Sequence, residues 1–264
     1  MRLKALLEGP AGEAWLAGLA RTVADLEVEW GLSLGRTLPG GTEAFVADVA
    51  VSDGRAAVLK LTPPGRDPTA GELHTLLAAR GRGYAEVYRH DESRGALLLE
   101  RLGPRLDELG LPVDAQIEAV CATLQEAWAP LPERLRFTTG ADKAADLAGF
   151  IEATWLELGR PCPERTVAAA LRHAEDRRRC FDPDRAVLAH GDAHAWNTLR
   201  APGGGSGRFK FVDPDGLFIE RAYDLGVLLR EWTPELLAGD PLALGVARCR
   251  RLAGLRARDG MGRL

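Results

Sequence analysis

The chain predicts an α+β protein with a small, sheet-rich first part and a larger helical second part. Three observations carry that expectation. Up to Leu102, apolar residues gather in short runs broken by Gly, Pro and Asp turns. After Leu102-Gly103-Pro104 they recur mainly at the spacing of helix faces. At 264 residues with 46% hydrophobic content, the chain is long enough to bury a real core, as one large domain or as two lobes.

Taken in order, residues 13–29 place Trp15, Leu16, Leu19, Val23 and Leu26 on one stripe, an amphipathic helix that Gly31 stops. The period then changes. Phe45, Val46, Val49 and Val51 lead into Ser52-Asp53-Gly54, and Ala57 to Leu61 returns as the second arm of a hairpin. A helix over residues 69–80, with Leu73, Leu76 and Leu77 on one face, ends at Gly81-Arg82-Gly83. Two short strands, 85–89 and 96–100, flank the Asp91–Gly95 turn. Helices are then expected over 113–129, 141–158 and 164–179, and a last one over Leu225–Trp232. The five residues Gly203–Gly207 lie between two β-like runs and read as a hairpin turn. The expected division is a lobe of residues 1–102 and a lobe of residues 103–264.

Composition excludes several classes. A net charge of −4 gives no basic footprint for nucleic acid or for an anionic membrane surface. No run of about 18 apolar residues offers a membrane helix. Arg2 and Lys4 precede an apolar run that Glu8-Gly9-Pro10 cuts too short for a signal peptide, so a cytoplasmic protein is expected. Cys121, Cys162, Cys180 and Cys249 are widely spaced, which argues against a zinc site or a disulfide framework. Only Lys4, Lys60, Lys143 and Lys210 are lysines, so a lysine inside a strand stands out.

Chemistry concentrates between Val187 and Tyr223. His190-Gly191-Asp192 is followed after four residues by Asn197, then by a short hairpin and by Asp213 at a strand end. Kinases use this spacing for phosphoryl transfer. One carboxylate accepts the proton of the acceptor hydroxyl, while an amide oxygen and a second carboxylate hold Mg²⁺ on the phosphates. Asp192 is therefore the candidate base, and Asn197 and Asp213 are the candidate metal ligands. Each alone would read as a turn residue; their order argues for chemistry. His190 reads as a brace for the loop, and His194 as a hydrogen-bonded loop histidine or a ligand. Asp215 is a second metal or substrate contact, or a turn residue. Asp224 reads as the N-terminal cap of the Leu225–Trp232 helix, holding the catalytic loop from there. Lys60 stands where a kinase places the lysine that reaches the α- and β-phosphates; the alternative is an edge-strand lysine facing water. Glu72 is its ion-pair partner, or the acidic end of a Thr69–Glu72 capping box. Gly40-Gly41-Thr42 offers backbone N–H groups to phosphates, or is a plain turn. The nucleotide is expected in a cleft between the lobes.

Only ten residues separate Asp213 from Asp224, too few for an activation loop that docks a peptide. Two other rivals are a metal-dependent hydrolase built on His190, Asp192 and His194, and a catalytically weak nucleotide-binding protein.

HGDAHAWN, VDPDG and AYDLG together resemble the aminoglycoside phosphotransferase family, which has a two-lobed protein-kinase-like fold. The string FKFVDPDGLFIERAYDLGVLLREW is most similar to the branch that holds streptomycin 6-phosphotransferases and hydroxyurea phosphotransferases. The specific match covers residues 187–232. It implies phosphoryl transfer from ATP, with GTP the alternative, and Mg²⁺. The implied acceptor is a hydroxyl of a streptomycin-type aminoglycoside, with hydroxyurea the alternative. The resemblance puts the base on Asp192, the metal on Asn197 and Asp213, and adenine against the hinge backbone from Glu100 to Leu102. Ala193 and Ala195 stand where the family commonly has Leu and Pro, which alters loop stiffness more than chemistry. Relatives usually add a helical segment beyond the position of Leu255 that helps form the acceptor pocket. A polycationic acceptor needs further acidic groups, for which Asp215, Glu220 and Glu231 are the candidates. A monomer or homodimer is expected, with no nucleic-acid or membrane partner.

Overall fold

A computed structural model of the chain describes residues 6, 8–38, 44–64, 68–131, 137–203 and 207–257. Contacts group the chain into two compact units, residues 1–127 with 193–215 and residues 128–192 with 216–264. This grouping follows contacts; the sheet-to-helix change at residues 102–103 is a change of pattern.

In the first unit, helix α1 (Gly9–Trp30) leads into strands β1 (Leu32–Thr37), β2 (Phe45–Val51) and β3 (Ala56–Leu61). Helix α2 (Pro68–Ala79), strands β4 (Val87–Asp91) and β5 (Ala96–Glu100) and helix α3 (Val113–Ala127) follow. The strands form one antiparallel sheet in the order β1-β2-β3-β5-β4. At the β2–β3 turn, Gly54 takes φ +88°, a value that glycine reaches without a Cβ clash, and Asp53 Oδ1 accepts the Arg55 N–H.

α1 covers one face of this sheet. Val23 and Leu26 pack against Leu32, Val49, Ala57, Leu59, Leu61 and Leu98, with Trp15 and Leu19 at the margin. Side chains alternate across a strand, so with Leu59 and Leu61 on that face Lys60 points to the opposite one. β3 pairs on both sides, with β2 and with β5, so Lys60 is a buried central-strand residue and the edge-strand reading is excluded.

β1 escapes the sequence reading because only Leu32 of its six residues is buried, which leaves no alternation to detect. Its Gly35 packs so close to β2 that a Cβ there would meet Asp48 O at 2.9 Å. Leu77, expected beside Leu73 and Leu76 in the core, is exposed instead.

Strands β8 (Thr198–Arg200) and β9 (Phe209–Phe211) form the expected hairpin. It is tied to the rest of the first unit by Phe211 N to Gly83 O (2.8 Å) and Ala85 N to Phe211 O (2.9 Å). Gly83 has φ +69°, and a Cβ there would lie 2.7 Å from the Ala127 backbone, so only glycine permits this approach.

In the second unit, helices α4 (Gly140–Glu157) and α5 (Glu164–Arg179) pack together close to their expected bounds. Thr139 and Asp142 close a reciprocal capping box at the start of α4. Strands β6 (Thr138–Thr139), β10 (Leu217–Glu220) and β7 (Ala186–Ala189) form a small sheet in the order β6-β10-β7. Val187, Ala189, Leu217 and Ile219 make its core, with Trp128 and Tyr223 packed on it. The chain continues through α6 (Ala222–Arg230), α7 (Thr233–Leu237) and α8 (Pro241–Ala257). The expected Leu225–Trp232 helix thus starts three residues earlier and stops two earlier, where Trp232 takes φ +53°.

Among the described residues no helix is long and apolar enough to cross a membrane. The four cysteines are free, Cys121 buried and the others exposed.

Candidate active site

In the first unit, β3 and α2 bring Lys60 and Glu72 together. Lys60 Nζ lies 2.8 and 2.7 Å from the two Glu72 oxygens and 2.8 Å from Asp213 Oδ1. Both Glu72 oxygens thus meet Lys60, as an ion pair requires. Burial opposes the ammonium charge, but Glu72 and Asp213 outweigh it and hold the Lys60 pKa above its ordinary value. One ammonium thus faces two carboxylates. Burial, against the pull of Lys60 and with the push of Asp213, lifts Glu72 above the usual carboxylate range.

Asp213 follows β9 with φ +55°, a backbone setting that costs a non-glycine residue on the order of 1–3 kcal/mol and that clusters at functional sites. Its side chain is 53% exposed beyond the contact with Lys60. Val212 N donates to Asn197 O at 3.0 Å, so the closed hairpin brings Asn197 and Asp213 to its same end. Asn197 completes the single 3-10 turn Ala195–Asn197. His194 caps that turn, its Nδ1 accepting from Trp196 N at 3.2 Å, and its Nε2 lies 3.4 Å from Asn197 Nδ2. The ring of this loop histidine thus lies against the Asn197 amide.

The hinge is also fixed. Glu100 N donates to Glu86 O (2.8 Å), Gly103 N to Arg200 O (2.8 Å), and Leu102 O accepts from Arg101 Nη1 (2.7 Å). The Glu100 carboxylate meets Lys210 Nζ at 2.6 Å, a largely buried pair. Asp215 is exposed. Gly40, Gly41 and Thr42 lie outside the described residues.

In the second unit the loop carrying Asp192 is gripped by α6. Asp224 is fully buried; its Oδ1 accepts Gly191 N–H (2.8 Å), and its Oδ2 accepts His190 N–H (3.0 Å) and Trp128 Nε1–H (2.8 Å). Asp224 is therefore no N-terminal cap. α6 begins at Ala222, so Asp224 sits inside its first turn and directs the carboxylate at the loop. His190, also fully buried, accepts Asp192 N–H on Nδ1 at 3.1 Å. Its ring thus holds the loop backbone at Asp192.

Sequence reasoning missed two residues. Arg230 Nη2 lies 3.0 Å from Asp192 Oδ1. Lys210 pairs with the hinge glutamate, and its one signal was being a rare lysine inside a strand. Of the acidic candidates, Glu220 is engaged by Arg177 at 2.7 Å, and Glu231 is the residue just after α6, its backbone O taking Arg248 Nη1 at 2.8 Å. No group of three or more His, Cys, Asp and Glu suited to a metal occurs among the described residues, as the hydrolase rival would need.

The family model described as aminoglycoside/hydroxyurea antibiotic resistance kinase matches residues 29–257. The chain belongs to that family. Among curated members, it is 34% identical over 198 residues to a hydroxyurea phosphotransferase of Kitasatospora aureofaciens, covering 72% of this chain and 56% of that protein. It is 29% identical over 227 residues to a streptomycin 6-kinase of Streptomyces glaucescens, covering 82% of this chain and 68% of that one. The chain thus spans little more than half of the first of these relatives. Among solved structures, an aminoglycoside phosphotransferase of Streptomyces rimosus superposes with a TM-score of 0.57 at 19% identity, covering 90% of this chain and 91% of that chain. A choline kinase of Streptococcus pneumoniae gives 0.56 at 16%, covering 93% and 92%. The kinase family's fold is therefore the α+β, kinase-like one expected.

Proposed function

We propose that this family member is an ATP-dependent phosphotransferase that moves the γ-phosphoryl group onto a hydroxyl of a small molecule. A streptomycin-type aminoglycoside is the first candidate acceptor. The observation that carries the reading is the Lys60 ammonium, held between Glu72 and Asp213. A point charge fixed in a buried strand suits contact with the α- and β-phosphates, because it need not reorganise when charge shifts during transfer.

Asn197 and Asp213 offer an amide oxygen and a carboxylate at one end of a closed hairpin, a hard-oxygen donor set that fits Mg²⁺. The second carboxylate facing a single ammonium supports the fit, since a cation would offset it. Bound Mg²⁺ would neutralise charge on the phosphates. Asp192 would orient the acceptor hydroxyl and take its proton, on a loop whose backbone Asp224 and His190 hold in place. The hinge from Glu100 to Leu102 would receive adenine, and Gly41 and Thr42 would approach the phosphates. Lobes divided at residues 102–103, a cytoplasmic setting, a monomer or homodimer, and no nucleic-acid or membrane partner belong to the same proposal.

One observation favours hydroxyurea as a second reading. Asp192 and Glu220 already carry guanidinium partners, which lessens the negative charge available to a polycation. Asp215 and Glu231 are the other acidic candidates for an aminoglycoside. The test is ADP release from ATP and Mg²⁺, with GTP alongside, in the presence of streptomycin or of hydroxyurea, together with the product's mass. The proposal expects one phosphoryl group added to one of these acceptors. ADP release with neither acceptor modified would reject it.

A further inference from the structure

Arg230 is the last residue of α6, and its guanidinium lies on the carboxylate read above as the catalytic base. The pair is open to water, with the arginine side chain 68% and the aspartate 36% exposed. An ion pair so exposed contributes little to stability. What it can set is direction: a donor on Oδ1 fixes the plane of the Asp192 carboxylate, and with it the approach to the other oxygen.

The platform under Arg230 is built for this. Asp224, six residues earlier on the same helix, grips the backbone of the loop at His190 and Gly191. At the other end, buried Arg248 donates Nη1 to Glu231 O at 2.8 Å and to Leu228 O at 3.4 Å. It also donates Nη2 to Glu235 at 2.6 Å and lies over the Trp232 ring. The C-terminal end of α6, where a cation also meets a favourable dipole, is thereby locked. One helix reaches the loop twice, through Asp224 to its backbone and through Arg230 to its side chain.

We infer that Arg230 is a positioning residue for the Asp192 carboxylate, holding it in the orientation that receives the acceptor hydroxyl. The inference rests on the phosphotransferase reading above. Arg230→Ala should lower kcat about 10- to 100-fold, the scale on which a misplaced reacting group slows a step, while KM for ATP stays within about 2-fold. Arg230→Lys should recover part of the loss and Arg230→Gln none. Millimolar guanidinium should restore kcat to Arg230→Ala but not to Asp192→Ala. Such rescue distinguishes an orienting charge from a packing role.

Thermal unfolding of Arg230→Ala should match the parent, since the side chain is exposed. An unchanged kcat overturns the inference, as does a loss that neither lysine nor guanidinium repairs. A faster Arg230→Ala also overturns it, because the arginine would then be blocking the base. A parent protein that phosphorylates nothing overturns both readings at once; an active parent indifferent to Arg230 overturns this one alone.

Discussion

Asp224 receives the Gly191 backbone N–H at 2.8 Å from a position two residues beyond the start of α6, and the same carboxylate holds His190 N–H and Trp128 Nε1–H. A buried carboxylate with three donors organises the loop of Asp192 from behind. Replacing it by alanine leaves those donors unpaired in a dry site, at roughly 1 kcal/mol or more each. Asp224→Ala should therefore lose about 3 kcal/mol or more of stability. Urea unfolding checks this, and a loss under 1 kcal/mol would mean that water or another group takes over.

The Lys60–Glu72 pair separates stability from function. Removing one partner of a buried pair typically costs about 3–5 kcal/mol, whereas an apolar pair of similar shape is often neutral. Lys60→Ala should be strongly destabilised, and Lys60→Met with Glu72→Leu should regain most of the stability without regaining ATP affinity. Calorimetric titration with ATP, run beside thermal unfolding, reads both. Near-normal ATP affinity in the double variant would remove Lys60 from nucleotide binding.

Much of this region was legible in the sequence. Lys60 stands out as a charged residue inside an apolar strand, and Asp192, Asn197 and Asp213 lie close together in the chain. The illegible parts have physical causes. β1 is exposed along nearly its whole length and leaves no period. Arg230 and Asp192 are 38 residues apart, and Lys210 and Glu100 are 110 apart, so no local pattern pairs them. Asp224 reads as a cap because Asp before an apolar run usually is one, whereas its helix already begins at Ala222.

Metal dependence tests Asp213. Asp213→Asn exchanges a carboxylate for a neutral amide, a poorer ligand for a hard divalent cation. ATP affinity should then depend less steeply on Mg²⁺ concentration. An unchanged Mg²⁺ titration would place the metal elsewhere, with exposed Asp215 the first alternative.

Salt separates the acceptor classes. Attraction between a polycation and exposed acidic groups such as Asp215 is screened over about 8–10 Å at physiological ionic strength. For an aminoglycoside, KM of the acceptor should rise with salt more than KM of ATP. Equal sensitivity would favour a neutral acceptor such as hydroxyurea.

The role of Asp192 is the central claim, and single-turnover kinetics of Asp192→Ala tests it most directly. With ATP affinity measured in parallel and folding verified, the rate of phosphoryl transfer to the acceptor should fall by about 100-fold or more, the scale of general-base contributions, while ATP affinity stays within about 2-fold. Transfer at the parent rate in a folded Asp192→Ala protein would contradict the account.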